Sequence, residues 1–178
     1  MKYSKLYEKA QKFTDKNIDG FECKLSKSTG NINDGVIESL TRFLSNKYAS
    51  DADKKCFEFH HKLMVHLEQD IGLKTDLTFG YVDTGHSEWF KFEESDVSEW
   101  LNNRNRKKTA EYHVWLTLPS MEILDVSFPI TVLRAAGKPI SDWNIIGQSP
   151  DTLPQYRYYP VFVGIDLAHT CGLVGAGI

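Results

Sequence analysis

Apolar residues recur at three- and four-residue spacing through the N-terminal part of the chain, and at two-residue spacing after it. Tyr3, Leu6, Tyr7, Ala10 and Phe13 lie on one face of a helix, so the spacing predicts an amphipathic helix over 3–15. Asn17 to Asn31 carries Gly20, Gly30 and several Ser and Lys, and reads as a loop. Asn33 or Asp34 caps a second helix with Val36, Ile37, Leu40, Phe43 and Leu44 as its apolar side. A third helix is expected to start near Ser50-Asp51, where Ser50 and Asp53 have capping-box spacing. Its stripe is Ala52, Cys56, Phe59, Leu63, Leu67 and Ile71, and Gly72 ends it.

Beyond Gly72 the period changes. Leu77, Phe79 and Tyr81 alternate with Thr78, Gly80 and Val82, as along a strand. Glu88 to Phe92 reads as a short strand entered through Thr84-Gly85, and Ser95 as the cap of a helix from Asp96 to Leu101. Asn102 to Lys108 is basic and Asn-rich, an exposed loop. Tyr112–Leu118 and Glu122–Phe128 form a hairpin about Pro119-Ser120, and Pro129 stops its second strand. Gly137 to Gln155 reads as irregular, Tyr156 to Ile165 as an aromatic-rich strand, and the glycine-rich end as a flexible tail. Helices followed by a mostly antiparallel sheet make an α+β fold with N-terminal helices packed on the sheet. One domain over 1–178 is expected: a helical part over 1–50, a core over 51–128, and a C-terminal irregular segment with the last strand over 129–178.

Composition narrows the function classes. The chain has 178 residues, 41% of them hydrophobic, and a net charge of −3, which argues against a dedicated nucleic-acid binder. Arg104 to Lys108 forms a short basic cluster, read as a solvated run. Residues 1–20 are polar and charged, and no run of about 18 apolar residues occurs, so neither a secretory signal nor a membrane span is expected. Three widely spaced cysteines, Cys23, Cys56 and Cys171, make no disulfide framework; a reducing cytoplasm is the expected compartment.

Cys56 is the first candidate for chemistry. It lies about one turn inside the expected start of the third helix, where unpaired N–H groups and the positive end of the helix dipole favour a thiolate. A thiol nucleophile needs a base, and the base needs an orienting group on its other nitrogen. His113 opens one strand of the hairpin and Asp125 lies on the other. Folding the hairpin about residue 119 sets 113 opposite 125, close enough for the carboxylate to fix the imidazole tautomer. Asp125 also sits in Ile123-Leu124-Asp125-Val126, a run suited to burial, where a carboxylate needs a partner.

The ordered series Cys56-Phe57-Glu58-Phe59, Gly72-Leu73, Phe79-Gly80-Tyr81-Val82, His113-Val114-Trp115-Leu116 and Ile123-Leu124-Asp125 resembles the transglutaminase-like superfamily. The resemblance covers roughly Asp51 to Phe128. Lys55 and Phe57 stand where that family usually has Gly and Trp, and Val126-Ser127 where it has Pro-Thr. The resemblance implies a papain-like core, with Cys56 as nucleophile, His113 as general base and acid, and Asp125 as orienter. It implies a thiol-dependent hydrolase of amide bonds in a protein or peptide substrate, or an acyl transferase, with no organic cofactor. The alternative is a catalytically inactive binding domain on the same fold.

Other residues could contribute. The Cys56 N–H is the natural first oxyanion donor. Trp89 offers an indole N–H as a second, and Glu88 and Tyr81 could line the cleft, although strand aromatics are more often packing residues. His60 lies four residues from Cys56 on the same face, a pair that could ligate a metal or make a local Cys–His dyad, while His61 and His66 read as solvated. Together they suggest a metal site, but no paired metal-ligand spacing supports one, and no metal is assigned. His169-Thr170-Cys171 is a weaker suggestion of the same kind. Tyr156, Tyr158, Tyr159 and Phe162 read as sheet aromatics or a ligand wall.

Overall fold

The structure is a computed structural model that describes the chain apart from residues 28–29, 46–51, 53–54, 103–110, 143 and 175–178. Tyr3–Asn17 forms α1, whose buried Tyr3, Tyr7, Ala10 and Thr14 follow the helical period. Asp34–Ser45 forms α2, and the Asn33 side chain caps it by accepting from the Val36 N–H at 3.1 Å. Cys56–Ile71 forms α3, closed by Gly72 in the left-handed conformation (φ 67°). The expected start near Ser50-Asp51 lies outside the described residues. Helical structure begins at Cys56 itself, so the cysteine is the first residue of the helix and not one turn inside it.

Strand β1 is Asp76–Asp83 and β2 is Glu88–Trp89, joined through a turn at Gly85. The strand expected to reach Phe92 ends at Trp89. Helix α4 is Glu94–Asn102, and Asp96, not Ser95, closes its start by accepting from the Glu93 N–H at 2.7 Å. The hairpin strands are β3, His113–Thr117, and β4, Ile123–Asp125. The second strand does not run on to Phe128. Ser127–Ala135 is a helix, α5, which tolerates Pro129 because the N–H of a first-turn residue has no ladder acceptor to lose. The segment read as irregular contains β5, Ile146–Gln148. Strand β6 is Arg157–Val163, and the expected tail contains a short helix α6, Ile165–Thr170.

Among the described residues, six strands form one antiparallel sheet. β3 and β2 share one flank of β1, β6 takes the other, and β4 and β5 follow β3. α1 packs on β6 with Trp115, Ile123, Phe128, Tyr158 and Val163 in one core. Phe57, Phe59, Leu63 and Leu67 of α3 join Leu77, Phe79, Val114, Leu116 and Leu124 in a second. The fold is therefore α+β, with helices on both sides of the sheet. Gly80 is required where β6 shifts register against β1: a Cβ there would run into the Tyr159 carbonyl and lie 2.7 Å from the Trp115 ring. No helix among the described residues is long and apolar enough to cross a membrane.

The hairpin register differs from the expected one. Leu116 pairs with Leu124 and Thr117 with Ile123, so the same register continued sets Asp125 opposite Trp115, not His113. Met121 in the left-handed region (φ 67°) lengthens the turn past Pro119-Ser120 and moves the pairing centre on by one residue. His113 and Asp125 are therefore diagonal neighbours on one face of the sheet.

Candidate active site

Asp125 ends β4, and its carboxylate is fully buried with partners on both oxygens. Oδ1 accepts from the N–H groups of Ser127 at 3.0 Å and Phe128 at 3.1 Å, which caps α5. Oδ2 accepts from His113 Nε2 at 2.6 Å and from the Tyr158 hydroxyl at 2.8 Å. Burial alone would raise the Asp125 carboxyl, but the His113 charge and hydrogen bond, then His60 and the Phe128 N–H, take it down to about 2. The group is a carboxylate at neutral pH, kept so by donors and not by water.

His113 is 2% exposed at the start of β3. A carboxylate only accepts, so Nε2 carries a proton and Nδ1 is the nitrogen left for Cys56. Burial works to lower this imidazole. The charge and hydrogen bond of Asp125, with those of Cys56, outweigh it and hold the ring up to about 9, so the imidazolium persists at neutral pH. The ring is walled by Phe90 (centroids 5.8 Å apart, nearly parallel), Trp115 (5.7 Å) and Phe128 (5.5 Å).

Phe90 follows from the strand order. Trp89 pairs with Val82 and His113 with Gly80 on the same flank of β1, so the chain must leave that flank after Trp89. It does so at Phe90 with φ 62°, a conformation that side-chain-bearing residues rarely adopt, and the Phe90 ring lands on the imidazole.

Cys56 is half-buried, so exposure falls from Cys56 to His113 to Asp125. Its Sγ points at the Tyr112 carbonyl at 4.0 Å, one residue before His113. The preceding Lys55 gives no side-chain cap, and the first ladder bond runs from the Phe59 N–H to the Lys55 carbonyl. The N–H groups of Cys56, Phe57 and Glu58 therefore precede the ladder, at the positive end of the helix dipole.

Trp89 and Tyr81, the residues read as oxyanion donor and cleft lining, lie on β2 and β1. The Trp89 ring packs on Phe90 and Phe128, each of which touches His113 in turn, so the indole stands one ring away from the imidazole. Tyr81 stacks on Tyr159 at 4.8 Å and lines a cavity of about 470 Å³ with Lys9, Phe92 and Glu93. Tyr158, read as a sheet aromatic or part of a ligand wall, is a direct partner of Asp125, and burial and that carboxylate hold its hydroxyl well above the ordinary value. No local signal marks it, because β6 reaches β4 only through the folded sheet.

The histidines of α3 separate. His60 is fully buried, with both ring nitrogens bonded to backbone. His61 is half-buried and stacks on Phe57 at 5.8 Å. His66 is half-buried too, bonded to the Ser39 carbonyl at 3.1 Å, and neither is the solvated residue expected. Among the described residues, no three His, Cys, Asp or Glu side chains are grouped to hold a metal ion. No protein-family model, curated protein or solved structure matches the chain.

Proposed function

We propose that the protein is a thiol-dependent hydrolase of amide bonds with a papain-like, transglutaminase-related core. The observation that carries the reading is the buried His113–Asp125 pair at 2.6 Å, with Nδ1 of the same ring left to the half-exposed Cys56 at a helix start that Lys55 does not cap. The Cys56 sulfur would attack the carbonyl carbon of a protein or peptide amide, and the Cys56 N–H would receive the developing oxyanion. His113 would pass its Nδ1 proton to the leaving amine as the C–N bond breaks, leaving a thioester. The neutral ring would then take a proton from water, whose oxygen adds to the thioester and releases the acid and the thiol. An amine in place of water would give transfer instead. Asp125 stays ionised throughout and holds the ring orientation.

The test is iodoacetamide alkylation of the native full chain, mapped by mass spectrometry at about pH 6.5, near the ordinary histidine value. Cys56 should alkylate rapidly, and His113→Ala should slow it at least about tenfold. Slow alkylation that is unchanged in the variant would sink the hydrolase reading and leave an inactive binding domain on this fold. A reactive Cys56 would then be offered glutamine and peptide amides, with and without an added amine, to separate hydrolysis from transfer.

A further inference from the structure

His60 takes no part in that chemistry, yet it stands between the groups that do. Its Nδ1 lies 2.8 Å from the Cys56 carbonyl oxygen, which can only accept, so Nδ1 carries the proton. In the neutral ring Nε2 is then an acceptor, and it takes the Val126 N–H at 3.2 Å. One rigid ring thus ties the backbone of Cys56 to that of Val126, which lies 66 residues after His60 in sequence. Its edge meets the His113 ring at 6.5 Å, almost perpendicular.

The groups facing His60 are Cys56 from its own helix, His113 from β3 and Asp125 from β4. Asp125 in turn holds Tyr158 from β6. Burial, then the His113 charge, outweigh the pull of Asp125 and keep the ring neutral down to about 4. A leucine or phenylalanine could fill the same space. Only a neutral imidazole has a donor and an acceptor at fixed opposite corners of a rigid ring.

We infer that His60 is a positioning residue: its ring clamps the start of α3 to the turn after Asp125 and so sets the Cys56 sulfur against His113. This rests on Cys56, His113 and Asp125 acting as one reactive unit. A misplacement of about 1 Å at such a unit can cost a hundredfold in rate, so a clamp at both backbone ends has a measurable consequence.

The experiment compares wild type, His113→Ala, His60→Asn and His60→Gln as full chains, following Cys56 alkylation by iodoacetamide against pH, with thermal melts alongside. Asn at 60 can keep the bond to the carbonyl four residues back, as Asn17 does to Phe13 at 2.7 Å, but it is too short for Val126. Gln can place its amide oxygen where Nε2 stood and keep Val126, but it loses the Cys56 carbonyl. Each variant, folded at the assay temperature, should alkylate about tenfold more slowly than wild type near neutral pH. A residue with only a packing role would lower the melting temperature and leave that rate alone.

Wild-type alkylation rates in both folded variants, with His113→Ala slow, would overturn the inference alone. A wild-type rate in His113→Ala would overturn the reactive unit, and the clamp with it. Nitrogen NMR of the wild-type chain needs no variant to fold: the Nδ1–H tautomer at neutral pH supports the clamp, and the Nε2–H tautomer overturns it.

Discussion

Two buried clusters in this protein use the same three residue types, and one histidine separates them. Beneath α1, Tyr7 donates to Asp76 at 2.6 Å and the Cys23 thiol donates to the same oxygen at 3.2 Å. At the other cluster Tyr158 donates to Asp125, but His113 stands between the carboxylate and Cys56. Burial and the Asp76 charge push the Cys23 thiol up, so this cysteine is held as a proton donor. The Asp125 charge is instead met by an imidazolium, whose other nitrogen faces a thiol. A carboxylate that touches a thiol directly disfavours its ionisation. Acting through a histidine, it orients a base for one.

The largest effect that could break this comparison is expected from the two aspartates. Asp125→Asn leaves His113 without its counter-charge in a site closed to water, and should destabilise the fold by about 3–5 kcal/mol. Asp76→Asn keeps a carbonyl oxygen for Tyr7 and Cys23, and should cost only about 1–2 kcal/mol. Urea melts of both variants check the ordering, and equal losses would show that the histidine makes no difference.

Next in size is the pH dependence of stability. His113 is raised from 6.5 to about 9, so its contribution is complete below 6.5 and lost as pH climbs through 9. His60 is lowered from 6.5 to about 4, so its contribution is complete above 6.5 and lost as pH falls through 4. Unfolding free energy should therefore peak near pH 6.5 and fall on both sides, each limb by at most about 1.4 kcal/mol per pH unit. His60→Gln should flatten the acid limb and His113→Ala the alkaline one; an unchanged profile in both would contradict the assignments.

The smallest effect sharpens the comparison most. Tyr158→Phe and Tyr7→Phe each remove one hydroxyl from a buried carboxylate and should each cost about 1–1.5 kcal/mol. Only Tyr158→Phe should shift the pH profile of Cys56 alkylation. A shift from Tyr7→Phe of the same size would join the two clusters into one system.

Much of the frame was legible in local patterns. The stripe Tyr3, Tyr7, Ala10 faces the core of α1, and Gly72 closes α3 where a residue of positive φ was needed. The strand read over Leu77 to Val82 forms within β1, but Asp76 to Gly80 are all buried because both faces of the sheet are covered. Local rules failed where one residue serves two elements. Asp125 ends a strand and also caps the next helix, so Pro129, read as a stop, instead sits in the first turn of α5. The hairpin register turned on Met121, a residue type with no preference for the left-handed region. His113 and Asp125 still met, because a diagonal pair on one sheet face is within reach of an imidazole.

The sequence by itself determined the helical and strand periods and the order of Cys56, His113 and Asp125, because side-chain alternation and caps act over a few residues. Only the tertiary structure decided that Asp125 also holds Tyr158, that Phe90 covers the imidazole and that His60 ties Cys56 to Val126. Those contacts join positions far apart along the chain. A buried polar group takes whichever partner the assembled core brings to it, and nothing local announces which that will be.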